Sequence, residues 1–222
     1  MPQNKPIRSL LRPLFPGVAV FAKMLGLMYS RRSALRKWGY IESTRTKTPC
    51  RRDGSPIPWM NYQVIMLLED RLKPDLKLFE FGSGYSTSFY AARVAHVTSV
   101  EKDPGWHAIV KKTLPANVDL KLFDGASGAV YSQAARGQAG QVDVMVIDAD
   151  DRIECLMAAP AALSDRGVIL LDDAQREEYR QGIAQFIAQS GFRKLDFEGL
   201  KAGAIGAYRT TVFYRDRNCL GI

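Results

Sequence analysis

Apolar residues along this chain fall into two kinds of run. Short, nearly unbroken runs of Val, Ile, Leu and Phe alternate with longer stretches in which apolar positions recur every three or four residues. The first pattern marks a strand buried on both faces, the second an amphipathic helix. Leu76, Leu78, Phe79 and Phe81 predict one strand, and the runs at 97–100, 118–123, 142–147 and 167–171 predict four more. A helix is expected before the first strand, from Val64, Ile65, Leu67, Leu68 and Leu72 at helical spacing. Others follow: from Ser86 or Thr87 through Ala92, from Pro104 through Val110, within 128–141, over 152–164 and over 175–189. Proline suits a first helical turn, as at Pro104, and Ser190-Gly191 is a stop signal. Two last strands, 192–197 and 208–215, are joined by the Gly-rich 199–206, where no helix fits, so they should pair antiparallel. The Thr-, Pro- and Gly-containing stretch 43–58 reads as loop.

The polar residues with chemical potential stand where these strands end. The first strand runs into Glu80-Phe81-Gly82-Ser83-Gly84, and Ser86 and Thr87 offer an N-cap for the next helix. Glycines spaced this way let the backbone turn sharply beside a ligand, at a helix N-terminus. A dinucleotide loop reads G-x-G-x-x-G; here the third glycine is replaced by Thr87. Glu80 would repel a pyrophosphate and suit a cationic group. Glu101 ends the second strand, 17 residues past Gly84, a position from which a carboxylate can hold two ribose hydroxyls; Lys102 follows it. Asp124-Gly125-Ala126-Ser127 after the third strand would let an adenine approach the backbone. Asp148 and Asp150, then Asp172 and Asp173, lie at the ends of the fourth and fifth strands, where open α/β sheets bind ligands. His96 and His107 read as structural.

Together, Glu80-x-Gly82-x-Gly84, Glu101, Gly125-Ala126-Ser127, Asp148 and the closing hairpin resemble the class I S-adenosylmethionine-dependent methyltransferases over roughly residues 56–222. The chain looks like small bacterial O-methyltransferases of the catechol O-methyltransferase type. It is more similar still to an uncharacterised bacterial group with Pro-Trp before the core and Asn-Cys-Leu-Gly-Ile at the end, here Pro58-Trp59 and 218–222. The resemblance implies an α/β fold: a Rossmann-like, doubly wound sheet of seven strands, mostly parallel, with a C-terminal antiparallel hairpin. It implies S-adenosylmethionine as cofactor, held by Gly82, Ser83, Gly84, Ser86, Glu101, Ala126, Ser127 and Asp148. Glu80, Thr87, Lys102, Asp124 and Gly125 complete the expected cofactor set.

Methyl transfer from a sulfonium is an in-line displacement, so the enzyme aligns the reactants and excludes water. A nearby carboxylate can take the acceptor's proton, and Asp148, Asp150 and Asp172 are the catalytic candidates. Trp59 and Tyr62 would pack on substrate and Asp173 would orient it. Catechol-type relatives hold a divalent metal on two Asp and one Asn. By position Asp148, Asp172 and Asp173 would be its ligands, an oxygen set suited to Mg²⁺ or Ca²⁺. Two departures stand out: Asp173 replaces the Asn, and Asp151 occupies the place of the lysine base.

Charge divides the chain. Of its 222 residues, the first 52 hold twelve Lys/Arg against one acid, Glu42, while the remaining nineteen basic and twenty-two acidic residues give −3 of the total +8. Residues 1–55 are therefore expected to be a basic N-terminal extension, helical or partly flexible, and 56–222 the methyltransferase domain. Its apolar run 14–29 is interrupted by Lys23 and by Pro16-Gly17, short of the roughly 20 residues of a spanning helix. Arg31-Arg32 stands where a signal peptide would place small residues. The expectation is a helix packed on the domain or on a second subunit; the alternative is a helix lying in a membrane interface. Cys50, Cys155 and Cys219 are too dispersed for a zinc site, and reduced thiols suit a cytoplasmic chain, free or peripheral to the inner face of the membrane. The expected partner is a small-molecule or glycan- or lipid-linked acceptor, with peripheral membrane contact through residues 1–40 and a homodimer also in view. No basic surface interleaved with aromatics suggests nucleic acid. Two other readings stay open: an NAD(P)-binding oxidoreductase, from Gly82, Gly84 and Glu101, and a non-catalytic adaptor of the same fold.

Overall fold

The computed structural model describes residues 16–125 and 128–222. The described residues open with the helices α1 (Pro16–Tyr29), α2 (Ala34–Trp38) and α3 (Tyr40–Thr46). Next come α4 (Tyr62–Arg71), β1 (Lys77–Phe81), α5 (Tyr85–Ala91), β2 (His96–Glu101), α6 (Pro104–Val110) and β3 (Val118–Leu122). The chain continues with α7 (Gly128–Ser132), β4 (Val142–Ile147), α8 (Arg152–Ala158), β5 (Leu163–Leu171), α9 (Arg180–Ser190), β6 (Arg193–Leu200) and β7 (Ala207–Tyr214).

The seven strands form one sheet in the order β3-β2-β1-β4-β5-β7-β6. Strands β1 to β5 are parallel, and β7 pairs antiparallel with both β5 and β6. This is the doubly wound sheet with a closing hairpin that the apolar runs predict. Alternation along each strand feeds two cores. Leu78, Val97, Val144, Val146, Val168 and Leu170 face α4 and α5. Phe79, Phe81, Val100, Met145, Ile147 and Ile169 face Tyr131, Leu156 and Phe186 on the other side. Both faces are buried, which is why the central strands read as continuous apolar runs.

Three boundaries differ from the sequence reading. Residues 175–176 do not join α9: Ala174 N donates to Arg209 O at 2.8 Å, and Gln175 Oε1 accepts from Arg209 N at 2.8 Å, so this stretch is tied to β7. Helix α8 stops at Ala158, just before Pro160, and β5 begins early, at Leu163, opposite Val142. Residues 43–46, the start of the stretch 43–58 read as loop, belong to α3, whose Ser43 hydroxyl is fixed by Cys50 N at 3.0 Å.

The N-terminal segment is docked from Trp38 onward. Trp38 lies 5.4 Å from the Tyr62 ring, Tyr40 Oη donates to Ala204 O at 3.0 Å, and Arg51 meets Glu69 at 2.6 Å. Helix α1 is different, because its apolar side chains are exposed. The expectation that it packs on the domain is not met.

Candidate active site

Strand order reverses between β1 and β4, and the crevice at such a switch point is where open α/β sheets take ligands. The loop after β1 and residues 148–150 after β4 face each other there across a cavity of about 330 Å³. Gly82 makes the turn possible. Its φ is +88°, and a Cβ on it would fall 2.2 Å from the Asp148 carbonyl oxygen. Gly84 is extended and takes the N-cap position of α5, two residues before Ser86 and three before Thr87, the caps expected there.

Glu80 corrects the sequence reading. It was expected to meet a cationic ligand group, yet it does not line the cavity. Alternation along β1 turns it to the Leu78 face, beneath α5. Ser86 Oγ donates to Glu80 Oε1, while Thr87 Oγ1 and Ser99 Oγ donate to Oε2 at 2.6 and 2.8 Å. Thr87 also accepts from Gly84 N at 3.0 Å. Glu80 and Thr87 therefore pin the loop from below, and neither reaches the ligand space. Burial pushes the Glu80 carboxyl up to about 7, against the pull of the three hydroxyls and with a further push from Asp148. Since 7 lies above the ordinary 4.5, the ionised form is the one disfavoured in the fold. The stabilisation is complete below the ordinary value and is lost as pH rises through 7. Between pH 5 and 8 the wild type should lose about 2 kcal/mol more unfolding free energy than Glu80→Gln, by urea denaturation across that range. Parallel pH profiles would contradict this.

Glu101 does line the cavity and is 8% exposed. Its Oε2 accepts from Ser83 N and Oγ, each at 3.1 Å, and its Oε1 from Lys102 N at 2.8 Å and Asp103 N at 2.9 Å. The Ser83 hydroxyl is the one rotatable donor of the four, so turning it frees a lone pair toward the cavity. Asp103 caps α6 by accepting from Trp106 N at 2.7 Å, which sets Trp106 on the first turn. The Trp106 indole donates to Ser83 O at 2.8 Å and forms a flat wall, with Tyr85 edge-on at 6.2 Å. Sequence reasoning gave Trp106 no site role, although the Asp103-Pro104 start two residues earlier carried the signal. Ser86, Lys102, Tyr131 and Ala149 complete much of the lining, and Pro49 and Trp59 close it from the N-terminal side. Trp59 is held by its indole N–H to Ala202 O at 2.9 Å.

Several expected site residues stand elsewhere. Tyr62 is fully buried in the core and cannot touch a substrate. Asp124 and Gly125 are exposed and off the cavity, and Ala126 and Ser127 lie outside the described residues. Asp150 does line the cavity, at its rim, paired with Lys102 at 2.7 Å, an ion pair that holds its carboxyl below the ordinary range.

Asp148, Asp172 and Asp173 do not form a metal centre. Asp148 takes the Arg152 guanidinium at 2.6 Å. Lys201 Nζ sits between Asp172 Oδ2 at 2.7 Å and Asp173 Oδ1 at 3.0 Å, and Thr210 Oγ1 donates to Asp172 Oδ1 at 2.7 Å. Arg176 and Arg152 approach Asp173 Oδ2 at 3.0 and 3.7 Å. The oxygens a divalent ion would need already carry the protein's own cations, and among the described residues no cluster of three His, Cys, Asp or Glu is placed to hold one. Asp172 is also sealed from the cavity, fully buried, so it is neither a metal ligand nor a proton acceptor for substrate. Burial and the nearby Asp148 raise its carboxyl to about 6, with Lys201 opposing. Burial acts on Asp173 in the same sense, but Lys201 and the two arginines hold it below the ordinary carboxylate range.

No protein-family model and no curated protein sequence matches the chain. Solved structures do. A candidate O-methyltransferase from Klebsiella pneumoniae superposes with a TM-score of 0.54 at 17% identity, over 88% of this chain and 96% of that one. A precorrin 8W decarboxylase from Methanobacterium thermoautotrophicum gives 0.53 at 17% identity, over 76% and 97%. A spermidine synthase bound to the transition-state analogue AdoDATO gives 0.54 at 15% identity, over 69% of this chain; the match spans only 59% of that enzyme's length. With its β3-β2-β1-β4-β5-β7-β6 sheet, the chain has the fold of the class I S-adenosylmethionine-dependent methyltransferases.

Proposed function

We propose that the chain is a methyltransferase that binds S-adenosylmethionine in the cavity between residues 82–84 and 148–150 and methylates an oxygen acceptor. The observation that carries this reading is the cavity's composition. A buried carboxylate, Glu101, a flat indole, Trp106, and a close backbone turn at Gly82 face one space of about 330 Å³, near the lower end of ordinary small-molecule sites. The carboxylate suits paired ribose hydroxyls and the indole suits a planar or cationic group. Thr87 takes the place of the third glycine that a dinucleotide loop carries, and its hydroxyl is committed to Glu80 and Gly84.

The cofactor supplies an electrophilic methyl on sulfur, which leaves as a neutral thioether once an acceptor lone pair attacks. The chain's part is positioning and proton removal. Trp106 and Tyr85 line one side of the cavity, and Pro49 and Trp59 another. Of the three carboxylates considered for proton removal, Asp172 is sealed, and Asp150, its side chain 79% exposed, stands at the solvent rim. Asp148 remains: it lines the cavity, its side chain is 33% exposed, and Arg152 orients it. A hydroxyl acceptor loses its proton as the new O–C bond forms, and Asp148, at the cavity, is placed to receive it.

Thermal unfolding tests the cofactor assignment. A ligand at a hundred times its dissociation constant adds about 2.7 kcal/mol of stability. S-adenosylhomocysteine is expected to raise the midpoint by several degrees and NADH to leave it unchanged. The reverse ranking would support the oxidoreductase reading.

A further inference from the structure

Helix α1 has no polar face. Val18, Val20, Phe21, Met24 and Tyr29 are each at least 57% exposed, and Lys23 is the only charge along the helix. A helix apolar all round belongs in an apolar medium, and a contiguous exposed patch of this kind marks an interaction surface. At the end of α1 stand Arg31 and Arg32, both exposed, followed by the exposed Lys37; Lys37 shares a shallow depression with Arg52, Asp53 and Arg51, the last already paired with Glu69. The single acid of residues 1–52, Glu42, is already paired with Arg45.

Charge decides what covers the helix. A second copy of the chain would set one field of twelve basic residues and one acid against another like it. An anionic lipid surface complements both features, the apolar helix and the basic step beside it. Length decides how the helix sits. Its 14 residues extend about 21 Å at 1.5 Å each, against a hydrocarbon core of about 30 Å. No helix of the described residues is long and apolar enough to cross a membrane.

We propose that α1 and the Arg31-Arg32 step dock this chain on an anionic membrane surface, the helix lying flat at the headgroup boundary. The Ser33 hydroxyl bonds to Leu27 O and joins the end of α1 to the docked segment that follows, so the membrane-bound helix carries the catalytic domain with it. This inference stands apart from the chemistry of the cavity.

Vesicle co-sedimentation of the full chain tests it, comparing phosphatidylcholine alone with phosphatidylcholine mixed with phosphatidylglycerol. Each basic residue near an anionic surface contributes roughly fivefold in affinity. Binding to the anionic vesicles is expected to be at least about tenfold tighter and to weaken with salt. Phe21→Glu with Met24→Glu, and separately Arg31→Glu with Arg32→Glu, should each lower it by at least about tenfold. All four residues are exposed and lie off the cavity, and circular dichroism with the urea midpoint reports whether each variant is still folded. Equal binding to both vesicle types would overturn the proposal. So would a dimer in sedimentation velocity that Phe21→Glu with Met24→Glu converts to monomer, or an RNA affinity that exceeds the affinity for anionic vesicles.

Discussion

Gly82→Ala is expected to cost at least about 3 kcal/mol of stability and to abolish cofactor binding. Two penalties coincide there. The backbone sits at φ +88°, which an L side chain resists, and the new Cβ would lie 2.2 Å from the Asp148 carbonyl oxygen. That atom is backbone at the end of β4, where Asp148 N is already bonded to Phe81 O at 3.0 Å. Relief would have to separate β1 from β4 at the end where the cavity opens. Gly84→Ala is the control. Gly84 is extended, and a Cβ on it would meet nothing nearer than Trp106 at 3.9 Å, so the fold should change by less than about 0.5 kcal/mol. Urea denaturation of the two variants decides; equal stabilities would remove the close approach from the account.

The second large effect is at Glu101. Four donors converge on its two oxygens, three of them backbone N–H groups fixed by the loop after β1 and the start of α6. Glu101→Gln puts an amide N–H₂ where one pair of those donors points. It also removes the negative charge that favours hydroxyl donors from a ligand. Bonds to a charged partner carry about 1.5–3 kcal/mol each, so S-adenosylhomocysteine affinity should fall at least about thirtyfold, by calorimetry. Asp150→Asn, on the exposed rim, should change it less than about threefold. A Glu101→Gln protein that binds as the wild type does would show that the ligand's ribose lies elsewhere.

These effects concern residues whose type was readable in the sequence but whose direction was only partly so. Residues 142–147 announced β4 with their actual bounds, because the unbroken apolar run Val144–Ile147, buried on both faces, outweighs the single polar residue Asp143 at its start. Glu80 was recognised as significant and aimed wrongly. Period-two alternation from Leu78 already placed it on the α4 and α5 face, away from the ligand. Asp148, Asp172 and Asp173 matched a metal-ligand pattern by position alone. What cancelled that pattern was Lys201, 29 residues from Asp172, in the hairpin connection. Its place depends on the bridge between Asn61 and Lys201, a pairing across the whole domain that no local pattern carries. The same Asn61 caps α4 through Val64 N at 3.0 Å and donates to Thr210, which holds Asp172. Helix α1 was seen as apolar and assigned a protein neighbour, its own domain or a second subunit; that none of the described residues of its domain covers its apolar side chains is a fact of tertiary structure.

The account rests on one occupied space, the slot between Gly82, Glu101, Trp106 and Asp148. Isothermal titration of the wild-type chain with S-adenosylhomocysteine addresses it most directly. One site per chain, with heat that disappears when Glu101 is replaced by glutamine, is the result the account requires. No heat at high micromolar ligand, with the chain shown folded by its denaturation profile, would contradict it.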